Sequence, residues 1–219
     1  GGASNITATG AALNGQVTGG SPAPLTYVYW GPTDGGTNKS SWTNSIATGQ
    51  ASGFFTGSAT GMIANKTYYY RCYVTNGAGF SWAANTTNFV SAGPALAIGD
   101  TTATRMLAGA TTAVFTVTLS VQSAQGVAVN FASSNGTAES GSDYAATNGT
   151  LSIPAGQMTG AVTVVITDAT INQAWTENFY VNLSSPSSAT IGDGQGECTI
   201  LDVGPRLYLG GTTGGVINV

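Results

Sequence analysis

Nine carboxylates, five basic side chains, two cysteines and no histidine make up the ionisable chemistry of this 219-residue chain, its tyrosines aside. Without histidine there is no Ser-His or Cys-His dyad, no histidine-held zinc, and no side chain of ordinary pKa that changes charge near neutral pH. Two carboxylates suffice for glycoside hydrolysis, but no pair among the nine stands out by its spacing. Neither a Gly-x-Ser-x-Gly elbow nor a P-loop occurs. The run Gly192-Asp193-Gly194-Gln195-Gly196 has the composition of a phosphate loop. No helix is expected after it, so it reads as a hairpin turn. The chain is expected to be no enzyme and to need no cofactor.

The five bases are Lys39, Lys66, Arg71, Arg105 and Arg206. They are too few and too scattered to neutralise a phosphate backbone, so nucleic acid is not an expected partner. No apolar run reaches the ~18–20 residues of a membrane span. The chemistry that remains is that of surfaces. Trp30, Trp42, Trp82, Tyr27, Tyr29, Tyr69 and Tyr73 all fall in the first half. Such rings could stack on sugars, which makes carbohydrate one candidate partner. Alternation along a strand sends every second ring to the core, and the outward ones are read as interface residues.

Period-two alternation governs the elements that hold these residues. Phe115, Val117 and Leu119 alternate with Thr116, Thr118 and Ser120. Val127-Val129-Phe131, Val162-Val164-Ile166 and Phe179-Val181-Leu183 repeat the pattern, which marks half-buried strands of two-sheet sandwiches. In the first half, strands are expected near 11–17, 25–31, 53–58, 67–75 and 82–90, with a polar loop over 32–41. Asn14-Gly15, Asn76-Gly77, Asn135-Gly136 and Asn148-Gly149 are read as tight turns. The length suits two sandwiches of about 100 residues each, and turn residues cluster at Val90-Ser91-Ala92-Gly93-Pro94. The expected fold is all-β, two tandem antiparallel β-sandwiches of immunoglobulin-like, Greek-key type, with modules at 1–91 and 94–203 and a strand-like extension at 204–219. Cys72 and Cys198 both fall on apolar strand sides and read as buried thiols.

Over residues 3–91 the first module resembles a bacterial fibronectin type III-like domain. The resemblance rests on Ala11-Ala12-Leu13-Asn14-Gly15, on Tyr29-Trp30-Gly31 with Thr33-Asp34-Gly35-Gly36, and on the tyrosine-bearing run from Asn65 to Asn76. It implies a sandwich and no chemistry. Over 94–202 the second module resembles a Calx-beta domain. Five stretches carry this in order: Ala113 to Ser120, Gly136 to Tyr144, Gly149-Thr150-Leu151 with Pro154-Ala155-Gly156, Glu177-Asn178-Phe179, and Thr199-Ile200-Leu201-Asp202.

Some members of that family bind calcium with carboxylates at one end of the sandwich. The resemblance places the candidate ligands at Asp168 and Asp202, with Glu139 or Asp143 nearby. Around them the acidic set is thinned. Arg105, Met106 and Leu107 stand where a glutamate is usual, and Ala169, Ala174 and Val203 stand where further acids are common. Calcium affinity follows ligand charge, so folding is expected to proceed without the ion. Asp143 and Glu177 are expected to hold loops.

The tail carries two apolar bursts, Leu207-Tyr208-Leu209 and Val216-Ile217-Asn218-Val219, separated by glycine pairs. Leu207, Tyr208, Leu209, Val216, Ile217 and Val219 are expected to dock on another copy by strand addition. Charged residues are 6% of the chain, against about 25% in an ordinary domain. Low charge, repeated β modules and a sticky tail suggest a structural subunit of a prokaryotic extracellular assembly (a filament, sheath or surface layer) that polymerises head to tail. The alternative is an adhesive or carbohydrate-binding fragment of a larger surface protein.

Overall fold

The computed structural model describes residues 2–105, 110–167 and 176–202. Among these residues seventeen strands and one 3-10 turn, Lys39–Ser41, are formed. The first sandwich contains β1 (Ala3–Ser4), β2 (Gly10–Gln16), β3 (Leu25–Gly31), β4 (Asn44–Gln50), β5 (Phe54–Thr60), β6 (Thr67–Asn76), β7 (Gly79–Trp82) and β8 (Thr87–Val90). The second contains β9 (Ala95–Ile98), β10 (Thr101–Arg105), β11 (Thr111–Leu119), β12 (Val127–Asn135), β13 (Asn148–Ile153), β14 (Thr159–Ile166), β15 (Thr176–Ser187), β16 (Thr190–Asp193) and β17 (Gln195–Asp202).

In the first sandwich the sheet β1-β2-β5 faces the sheet β4-β3-β6-β7, with β8 also paired to β6. Leu13, Val28, Trp30, Phe55, Tyr68, Tyr70 and Phe89 fill the space between them. The Tyr68 hydroxyl accepts from the Ile63 backbone N–H at 2.9 Å, which pins the turn that feeds β6. Two Asn-Gly pairs expected as turns lie elsewhere. Asn14-Gly15 is inside β2 and Asn148-Gly149 opens β13. Glycine at 15 answers a packing need, since a Cβ there would lie 2.4 Å from the Phe55 ring and 2.7 Å from Cys72 Sγ. Asn76-Gly77 does turn the chain, between β6 and β7.

The second sandwich packs β10-β17-β15-β12-β13 against β14-β11-β9-β16. Its core includes Leu96, Phe115, Val117, Tyr144, Ile153, Val164, Phe179, Val181 and Ile200. Two pairings depart from the antiparallel expectation: β10 with β17 and β16 with β9 are parallel. The cause is that the chain changes sheet twice. β9 and β10 belong to opposite sheets on either side of Gly99-Asp100, and β16 and β17 do the same across Gly194. Gly194 therefore sits at a crossover and not in a hairpin. Gly196 permits the close approach, because a Cβ there would meet Gly99 O and the Phe115 ring at 2.9 Å.

Cys72 and Cys198 carry free thiols, and burial pushes both up to about 11. The thiolate is the reactive form. Native protein at neutral pH is expected to leave both unlabelled by a maleimide, while unfolded protein should label at both. Rapid labelling of either in the native state would contradict this burial.

Candidate functional site

Two places gather side chains capable of specific interaction. The first is the outer face of β3, β6 and β7. Because Tyr68 and Tyr70 point inward along β6, strand alternation turns Tyr69, Arg71 and Tyr73 outward. The register sets Tyr73 across from Tyr27 on one side and Trp82 on the other. Ring centroids lie 6.0 Å apart for Tyr27–Tyr73, 6.1 Å for Tyr29–Tyr73, 5.2 Å for Tyr29–Trp82 and 4.9 Å for Tyr73–Trp82. Phe80 stacks on Tyr73 at 5.8 Å. The Lys39 ammonium sits 3.7 Å from the Tyr73 ring centre and holds its phenol below the ordinary range. Tyr73 is thus only 4% exposed although it is on the outer face.

Most of these rings meet edge to face or tilted, so they spend their surfaces on one another. Phe80, at 71% exposure, is the ring presented to solvent. Beside it lies an open hollow of about 310 Å³ lined by Pro24, Val74, Thr75, Asn76 and Ser81. Phe80 was absent from the sequence candidates. The Asn76-Gly77 turn is the signal that would have placed it, since it folds β7 back beside β6. Of the other rings, Trp30 is in the core. Trp42 is buried under Gly35 and donates its indole N–H to Gly36 O at 3.3 Å, anchoring the polar loop.

The second place is one end of the second sandwich. Arg105 closes β10 in the inward phase set by Ala103 and is fully buried. Its Nη2 donates to Asp143 Oδ1 at 3.1 Å and to Glu177 Oε2 at 3.0 Å. Asp143 Oδ2 accepts from the Glu139 backbone N–H at 2.8 Å and from the Ser142 hydroxyl at 3.1 Å. One carboxylate thereby shapes the turn after β12 while holding the guanidinium. Next to it Tyr144 stacks on Phe179 with centroids 4.2 Å apart.

Of the calcium candidates, Asp143 is Arg105's partner, and Glu139 is exposed with its backbone N–H given to Asp143. Asp202 pairs across from Arg105 in the β10–β17 register, and its side chain is outside the description. Asp168 lies outside the described residues, as do Leu207, Tyr208, Leu209, Val216, Ile217 and Val219. Among the described residues no three His, Cys, Asp or Glu side chains form a metal-holding group. Calcium takes six to eight oxygens at about 2.3–2.6 Å. Asp143 and Glu177 already share a buried guanidinium, and a second cation in contact with the same oxygens would be repelled by it. The described carboxylates do not fit the ion.

Residues 100–203 match the Calx-beta domain model. The match covers just under half of the chain and falls on the second sandwich. Several solved structures are similar in fold. The calcium binding domain CBD12 of CALX1.1 is 22% identical, with 49% of this chain and 45% of that chain covered and a TM-score of 0.43. CBD12 from CALX1.2 is 11% identical over 88% of this chain and 93% of that one, with a TM-score of 0.40. The FN1-FN3 domains of chicken CNTN1 are 12% identical over 91% and 64%, with a TM-score of 0.32. The search of curated proteins returns no match. Domains of the Calx-beta type matched by the second sandwich are typically binding or structural.

Proposed function

We propose that the chain is a structural subunit of a prokaryotic extracellular assembly whose copies join head to tail. A fibronectin type III-like module leads and a Calx-beta-like module follows. The observation that carries the reading is the aromatic, lysine-capped face of the first sandwich combined with opposite charge in the two halves. Residues 1–91 hold Lys39, Lys66 and Arg71 against Asp34 alone. Residues 92–219 hold eight acids against Arg105 and Arg206. Asp100 and Glu197 meet at a shallow hollow of about 270 Å³ on the second sandwich, lined otherwise by Thr101, Thr102 and Thr199. A cationic aromatic face on one copy complements an acidic module on the next, and a heterologous contact of that kind repeats into a chain. In this reading the apolar bursts in the sequence of residues 204–219 add a second element to the joint. No helix among the described residues is long and apolar enough to cross a membrane.

Sedimentation velocity and electron microscopy over a salt series test this. Assembly is expected to weaken as salt rises, and Lys39→Glu with Phe80→Ser is expected to weaken it at least about tenfold. A chain shortened after residue 203 separates the share carried by the tail. A species that stays monomeric at every concentration and salt would refute the reading. The second reading, an adhesive or carbohydrate-binding fragment, is favoured by the exposed Phe80 ring beside its hollow, which is at the lower end of ligand-pocket volumes, roughly 300 Å³. Glycan binding by the monomer, lost in Phe80→Ser, would select it.

A further inference from the structure

We infer that Arg105 is a built-in cation, performing at the acid end of the second sandwich the tethering that a bound divalent ion would otherwise perform. Three elements converge there. β10 supplies Arg105, the turn after β12 supplies Asp143, and β15 supplies Glu177. A bare cluster of carboxylates would repel itself, and turn and strand would separate unless something positive lay between them. The guanidinium supplies that charge. An arginine guanidinium is a permanent cation, and here its Nη2 reaches two carboxylates at once, at 3.1 and 3.0 Å. Unlike a metal it is delivered by the chain, so the end of the sandwich closes when β10 pairs with β17. Neither chelation nor a change in external calcium can open it.

Its placement is also specific. Thr101, Ala103 and Arg105 share one face of β10, and Ala103 is in the core. An arginine in that phase must turn inward, and full burial of a charge is tolerated only where opposite charge is already present. The carboxylates and the arginine therefore form one unit, and the loss of the arginine should recreate the demand for a cation.

The experiment uses the full chain and follows thermal unfolding in a chelator, in calcium and in magnesium. The unsubstituted protein is expected to melt at one temperature in all three. R105Q is expected to melt lower in chelator and to recover by about 5 °C or more in calcium. Adding D143N to it should remove the recovery. R105K, which keeps the charge, is expected to remain indifferent to calcium. If R105Q does not fold in chelator, refolding from urea in calcium is the deciding readout, and recovery there supports the inference. A calcium-dependent rise in the unsubstituted protein overturns it. So does an R105Q that is destabilised, or fails to refold, equally with and without calcium, because Arg105 would then be packing and not a stand-in ion.

Discussion

Asp143→Ala is expected to lower the stability of the second sandwich by about 3–5 kcal/mol, the usual cost of removing one partner from a buried ion pair. In a domain of this size that is a fall of more than about 10 °C in melting temperature. The main cost is borne by Arg105, whose fully buried charge loses a carboxylate at 3.1 Å. Added to it, the Glu139 N–H and the Ser142 hydroxyl lose their acceptor, at a smaller cost because both residues are exposed and water can replace it. The turn they define leads into Tyr144, so the stacking on Phe179 should loosen as well. Asp143→Asn keeps the shape and one acceptor but removes the charge, and should fall between alanine and the native residue. Calorimetry of the full chain reads both. A loss below about 1 kcal/mol for the alanine variant would mean that the pair behaves as an exposed one and that the turn does not depend on it.

How much of this was legible beforehand depended on whether a residue's neighbours lie along the chain or across it. β3 is found at Leu25–Gly31, where alternation and the Tyr-Trp pair placed it. β4, Asn44–Gln50, escaped notice because Ile46 is its one large apolar residue. Its strand character comes from pairing with β3, not from its own pattern. The expected strand over 82–90 is two strands, β7 and β8, because the Arg71 side chain donates to Ala83 O at 2.8 Å and Ala84 O at 2.7 Å and takes those carbonyls out of the ladder. Alternation with the inward Tyr68 and Tyr70 puts Tyr73 on the outer face. Its near-complete burial comes from rings on two other strands. Arg105 was read as a missing acid. The available signal was its phase with Ala103, which forces the side chain inward. Nothing in the local sequence says that Asp143 and Glu177, thirty-eight and seventy-two residues away, are the groups it meets.

The joint between the sandwiches supports the other large effect. Asn65→Ala combined with Gly93→Val is expected to uncouple the two modules while leaving each folded. Asn65 occupies the left-handed region at φ 56°, which its short amide tolerates and alanine does at a cost of roughly 1–2 kcal/mol. From there its Nδ2 donates to Ser123 Oγ at 2.8 Å and to Ser188 O at 2.7 Å, both on the second sandwich. The neighbouring Ala64 O accepts from Ala124 N at 2.9 Å, and Ala64 forms a parallel bridge with Ser123. On the linker, a Cβ at Gly93 would lie 2.6 Å from Ser188 O, so valine must push that backbone away. Losing two hydrogen bonds at about 0.5–1.5 kcal/mol each, together with the left-handed strain, removes a few kcal/mol from contacts that hold one module at a fixed angle to the other. Small-angle scattering should then show a broader distribution of inter-module distances, and calorimetry should show two transitions drawn apart. An assembly built from end-to-end copies needs each copy to be stiff along its length, because every flexible joint lets neighbouring contacts fall out of line. Under the proposed head-to-tail assembly, the double variant should also give shorter, more curved polymers. If scattering and the separation of the transitions match those of the unsubstituted chain, the joint is held by other contacts, and Asn65 serves only its own turn.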